Sequence, residues 1–356
     1  MGNMKKLLFV VLAVLMLFLA ACSKDERSAT DNGTKESGLD EEKPDTPAQT
    51  EEEFIYPLTG IGTDEKVDNR IISVMVNNHS SARPQTGLSE ADIVFEILAE
   101  GMITRFLAFY QSEMPEVVGP VRSAREYYFK LARGYNALYV YHGAATFVNE
   151  MIVDQGIDYL NGSIYDNDGN LFKRESFRKA PHNSYLQLQA VYDVAEGKGY
   201  ETKASYEPLE FLSDTEAESL SGNAAKHVKI VYSNNPMEIV EFNYDETSGN
   251  YFRSSDGEQT VKLNSEDPIQ ATNVFIVETF HEVIDDEGRR AVDLESGGNG
   301  YLIQRGQVQE VQWENRDGRI VPVKDGQPVG FVPGKTWINV VPANPGMQQS
   351  VTISNE

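Results

Sequence analysis

The chain has a single cysteine, Cys22, in 356 residues, so it has no internal disulfide and its fold must rest on core packing. Its five histidines, His79, His142, His182, His227 and His281, are scattered and do not fall at the short spacings of a metal site. Neither a structural metal nor a cofactor is expected. Positive charge is scarce: 31 Lys and Arg stand against 55 Asp and Glu, a formal charge of −24. Such a chain repels nucleic-acid phosphates rather than neutralising them, and it offers no broad basic face to a membrane. Long apolar runs are scarce too, since residues 7–21 fall short of the roughly 20 residues a spanning helix needs. The absence of a repeat period or heptad pattern excludes solenoids and coiled coils.

What is there begins with an address. Lys5 and Lys6 precede the apolar run, which ends Leu19-Ala20-Ala21-Cys22. Residues 1–21 therefore read as a signal peptide and Cys22 as the lipidated first residue of the mature chain. Residues 22–53 are Asp, Glu, Lys, Ser, Thr, Gly and Pro with almost nothing apolar. Burial cannot offset the entropy of ordering such a segment, so it reads as a tether, with a root-mean-square reach on the order of 30 Å. About 300 residues remain beyond it, enough for two domains.

The first domain, residues 54–205, is predicted to be mixed α/β, in the α+β sense. Residues 71–76 are an apolar run of the kind buried on both faces of a sheet, with Asn77, Asn78 and His79 at its end. Residues 92–100 alternate, placing Ile93, Phe95, Ile97 and Ala99 on one face and Glu96 and Glu100 on the other. A two-residue turn at Gly101-Met102 would put Leu98 opposite Arg105 and both glutamates diagonal to it, as an ion pair. Ser123 and Glu126 have the spacing of a capping box, predicting a helix that Gly134 ends. Residues 137–141 predict a strand leading to His142-Gly143, and residues 147–154 a short helix. Ser184 and Gln187 repeat the capping-box spacing, predicting a helix through about Glu196. Asp166-Asn167-Asp168-Gly169-Asn170 imitates a calcium loop, but Ile164 stands where its first aspartate is required, so it reads as a plain turn.

Beyond Gly197-Lys198-Gly199 the pattern becomes short strands joined by tight turns at Asp256-Gly257, Asp317-Gly318 and Asp325-Gly326. This predicts a mostly-β second domain over residues 223–346. Its Gly334-Lys335-Thr336 is not a phosphate loop, because Val329 occupies the upstream glycine position and the motif runs into a strand.

The arginines crowd into the first domain. Arg83, Arg122, Arg125 and Arg178, with Asn77, His142, His182 and Asn183, form a candidate binding site for an anionic group. Two helix starts aimed at one cleft would favour negative charge, and guanidinium can grip a carboxylate or phosphate through paired hydrogen bonds. Two other readings stay open. A wall-acting hydrolase or lyase would use Ser123 as nucleophile or Glu96 and Glu100 as acid and base, with His142 or His182. A docking lipoprotein would meet a protein partner through strands or exposed aromatics.

The lipobox, the acidic tether, N-N-H-S-S-A-R-P-Q-T-G-L, A-D-I-V-F-E, I-T-R-F-L-A, G-P-V-R-S-A-R, A-P-H-N and G-K-T-W-I occur in that order. Together they resemble the YerB-like bacterial lipoproteins over nearly all of residues 57–342. The resemblance implies an extracytoplasmic lipoprotein of Gram-positive type, held in the cell membrane through lipid (palmitate) on Cys22, with two domains of unknown function. At that address peptidoglycan carboxylates or wall-polymer phosphates are the expected anions. The hairpin tip of that family reads Glu-Gly-Gly, where this chain has Glu100-Gly101-Met102.

Overall fold

In the computed structural model, which describes residues 53–355, the apolar run becomes the strand Ile72–Asn77, buried along its whole length. The signal peptide, Cys22 and all of the tether up to residue 52 lie outside the described residues. The strand sits inside one long sheet that draws on both halves of the chain. Its order across the centre is Gly298–Gln304, Asn273–Thr279, Thr336–Pro342, Ile93–Leu98, Thr104–Tyr110, Ile72–Asn77, Leu138–Tyr141 and Tyr159–Asn161. Thr336–Pro342 lies parallel to Asn273–Thr279 on one side and to Ile93–Leu98 on the other, so the seam between the halves is a ladder of backbone hydrogen bonds.

The sheet is covered on both faces. Against one face, the helices Glu126–Gly134 and Thr146–Asp154 pack Tyr128, Phe129, Leu131, Val148 and Ile152 onto Met75, Phe95, Ile97 and Leu107. Against the other, the twisted ribbon His227–Asn234 and Met237–Asp245 sets Val228, Ile230, Val240 and Phe242 over Val74, Val94, Phe106 and Trp337. The described residues are thus mostly β, with a few short helices, most of them in the first half. The close fit between the halves shows at Gly134, where a Cβ would stand 2.2 Å from the Gly318 carbonyl oxygen.

Three local expectations are overturned. The Ser123 capping box does not form: the helix starts at Glu126 with Arg125 as its cap, and no side chain caps it. Instead the backbone before it is drawn into the sheet, where the Arg122 N–H donates to Met75 O and the His142 N–H to Arg122 O, both at 2.9 Å. Ser184 does not start a helix either. Ser184–Gln187 is a strand between Phe172–Arg174 and Val117–Val118, and the helix begins only at Val191. In both places pairing with distant strands outweighs a local capping signal.

The third correction concerns the hairpin. Its turn spans Glu100–Met102, so Leu98 faces Thr104 and Ile97 faces Arg105, one residue from the expected register. A one-residue slip sends a side chain to the other face of a sheet. Arg105 therefore turns towards the helical face, where it pairs with Glu100 at 2.6 Å, while Glu96 is buried on the opposite face. The two glutamates do not share the arginine. Met102 itself adopts φ 63°, the left-handed conformation that glycine takes without strain.

Candidate functional site

Six of the eight strands across the centre of the sheet point the same way: Asn273–Thr279, Thr336–Pro342, Ile93–Leu98, Ile72–Asn77, Leu138–Tyr141 and Tyr159–Asn161. Ligands of sheets built from parallel strands bind beyond the carboxyl ends of those strands. At that edge Ile72–Asn77 and Leu138–Tyr141 pair only as far as Val74 and Val140 and then separate, and the Arg122 backbone fills the gap between them. Arg122 is thereby fixed at the opening of the crevice.

Its guanidinium is half-buried and has no hydrogen-bond or ion-pair partner among the described residues. Burial pulls its pKa down, Glu100 opposes this, and Arg125 adds to it, yet a guanidinium stays charged at any working pH. Arg105 and Arg125 both donate to Glu100. Burial would push that carboxyl up, but the two guanidinium groups hold it below its ordinary value. Three cations thus meet one carboxylate.

Arg122 acts electrostatically on two histidines, His142 and His182, and His79 lies against His182. The Asn77 side chain is oriented by its Oδ1, which accepts the His79 N–H at 3.1 Å, so its Nδ2 donates to His182 Nδ1 at 2.9 Å. The Ser81 N–H likewise donates to His79 Nδ1 at 3.1 Å. Each ring therefore keeps its proton on Nε2, and neither Nε2 has a partner among the described residues. The two rings lie 4.7 Å apart at 34°. Burial lowers the His182 pKa, with His79, Arg122 and Arg178 acting in the same direction.

His142 is arranged differently. Arg174 Nη2 lies 3.4 Å from its Nε2, and an arginine can only donate, which leaves the ring proton on Nδ1 to donate to Ser184 Oγ at 2.7 Å. Burial and then Arg174 lower its pKa against the pull of Asp166, and Arg122 lowers it further. Gly162 permits this placement, since a Cβ there would stand 2.5 Å from His142 Nδ1.

The remaining candidates are committed elsewhere. Arg83 pairs with Asp256 at 2.6 Å and Glu238 at 3.3 Å across the seam, beside a cleft of about 550 Å³ that does not include Arg122. Arg125 is held by Glu100 and by the Ala124 carbonyl. Arg178 Nη1 donates to Ala82 O at 2.6 Å and the Tyr185 hydroxyl at 2.9 Å. Asn183 Oδ1 accepts from Arg174 at 2.9 Å. Asp166 and Asp168 belong to a turn, Asp166 paired with Arg174 and Asp168 Oδ1 accepting three backbone N–H groups.

The hydrolase reading fares differently at each residue. Glu96 is fully buried on the far face, where Arg253 grips it at 2.9 and 3.0 Å and the Trp337 indole donates at 2.8 Å. Ser123 Oγ makes no hydrogen bond to either histidine among the described residues. No chain of nucleophile, base and acid joins Ser123, His142 or His182 and these glutamates. His79 was absent from the candidates; its place two residues beyond a buried strand was the available signal, but its contact with His182, a hundred residues on, is written nowhere locally.

Two family descriptions match the chain: "Protein of unknown function (DUF3048) N-terminal domain" over residues 58–201 and the corresponding C-terminal domain over residues 228–338. The "Putative lipoprotein YerB" of Bacillus subtilis (strain 168) is 48% identical over 300 residues, 84% of this chain and 89% of that protein. The crystal structure of YerB protein from Bacillus subtilis superposes with a TM-score of 0.78 at 47% identity, covering 85% of this chain and 99% of that one.

Proposed function

The chain belongs to the DUF3048 family together with YerB, and from that premise we propose that it is a membrane-anchored lipoprotein that binds an anionic group of the cell envelope at Arg122. One observation carries the reading: a half-buried guanidinium at the carboxyl edge of the sheet with no partner among the described residues, in a region whose other arginines are engaged. A buried cation is expensive unless something pairs with it. The side chains free around it, the Nε2–H groups of His79 and His182, are donors, so the complementary group is an acceptor with negative charge.

The test is titration of the full chain with inorganic phosphate, followed calorimetrically, beside an Arg122→Ala variant whose melting temperature is recorded in parallel. Hydrogen bonds to charged groups contribute about 1.5–3 kcal/mol each, so Arg122→Ala should bind roughly ten-fold or more weakly. Equal binding by a folded Arg122→Ala variant removes Arg122 from the site and the reading with it.

A further inference from the structure

The free donors opposite Arg122 have more to say, given the anion-binding reading on which this step rests. His79 and His182 come from separate elements, the turn after Ile72–Asn77 and the loop before Ser184–Gln187, and meet with rings 4.7 Å apart. Both Nδ1 atoms are occupied by N–H donors, Asn77 Nδ2 at one and the Ser81 backbone at the other. Such partners lock both rings into the same tautomer, and both Nε2–H groups are left unused. Two stacked rings that share a tautomer and lack acceptors form a donor pair awaiting an acceptor.

Charge sets the kind of acceptor. Arg105, Arg122 and Arg125 interact electrostatically around one carboxylate, Glu100. That leaves an excess of two positive charges. The charged groups that face His182 are His79, Arg122 and Arg178, each disfavouring a proton on it, and its other close neighbour is the uncharged Asn77. His79 meets His182 and the Ser81 backbone.

We propose that the neighbouring imidazoles of His79 and His182 are the second half of the anion site, donating their Nε2–H groups to a doubly charged oxyanion held by Arg122. The donors need no proton uptake, because each Nδ1 already accepts from an N–H group. The ligand class is a phosphate monoester or another tetrahedral dianion.

Sulfate is the suitable probe, because it is a tetrahedral dianion at every working pH. The full chain is titrated with sodium sulfate and with sodium nitrate at constant ionic strength, beside Arg122→Ala, His79→Leu and His182→Leu variants whose melting temperatures are recorded in parallel. Sulfate should bind more tightly than nitrate, and each histidine variant should weaken sulfate binding several-fold. Sulfate binding that is lost in a folded Arg122→Ala variant but unchanged in both folded histidine variants overturns the donor pair and leaves the Arg122 reading standing. No sulfate binding by the unaltered chain overturns both.

Discussion

Arg122 and Arg178 carry the same side chain, yet their removal is expected to cost very different amounts of stability. Arg178 holds the Ala82 and Pro84 carbonyls and the Tyr185 hydroxyl. Arg178→Ala leaves those acceptors short of a donor and should cost about 1–3 kcal/mol in a denaturant titration. The Arg122 side chain has no partner among the described residues, so Arg122→Ala should shift stability by less than about 0.5 kcal/mol, as for an uncommitted side chain. His281 is a different case. Both its ring nitrogens are buried without a partner, and burial, helped by Arg290, pushes its pKa down to about 3. The unfolded chain takes up a proton at this histidine near pH 6.5 while the folded chain does not. Its contribution is therefore intact above about pH 6.5 and is lost as pH falls towards 3. Denaturant midpoints measured from pH 7.5 down to 4 should fall less steeply for His281→Leu than for the unaltered protein.

At the scale of elements, the strands were legible because their alternation and their Asp-Gly turns are local signals, and Asp256, Asp317 and Asp325 all adopt the positive φ such turns require. The helix starts at Ser123 and Ser184 misled because a capping motif reports what a segment can do alone, whereas both segments are taken up by strands far away in sequence. The hairpin slipped because turn length is not encoded by Gly101 alone. That slip takes Arg105 away from Glu96, and no local pattern pairs Glu96 with Arg253, on the strand Asn250–Ser255 more than 150 residues later. Removing one partner of a buried pair strands the other charge, so Arg253→Met should cost about 3–5 kcal/mol, and replacing Glu96 by Leu as well should recover part of the loss. Beside them Glu238 is raised to about 7 by burial and by Glu96, against the pull of Arg83. The folded state holds this proton more firmly than the unfolded one, so the contribution is full below about pH 4.5 and is lost as pH rises through 7. Glu238→Gln should lose less stability than the unaltered chain between pH 5 and pH 8, read from urea midpoints.

At the scale of the whole molecule, the two family regions share one sheet and one pair of covering layers. A first half made alone would expose the edge of Ile93–Leu98 and uncover Glu96, and a second half made alone would lose one of the two partners of Thr336–Pro342. Residues 53–222 and 223–356 expressed separately should each lack a cooperative melting transition, whereas the intact chain should melt in one. Two independent transitions in calorimetry of the intact chain would contradict that expectation.

The direction of the six aligned strands also fixes a polarity for the body. The polypeptide arriving from the N-terminal side is fastened at their amino ends, where the Gly334 N–H donates to Thr59 O at 2.7 Å and the Leu209 N–H to Pro57 O at 3.0 Å. Arg122, His79 and His182 stand at the other end. A strand of the length of Thr336–Pro342 spans about 20 Å. The first described residues and the cation that lacks a partner among the described residues therefore stand at opposite ends of these strands, so a ligand reaches Arg122 without passing the point where the chain enters the sheet.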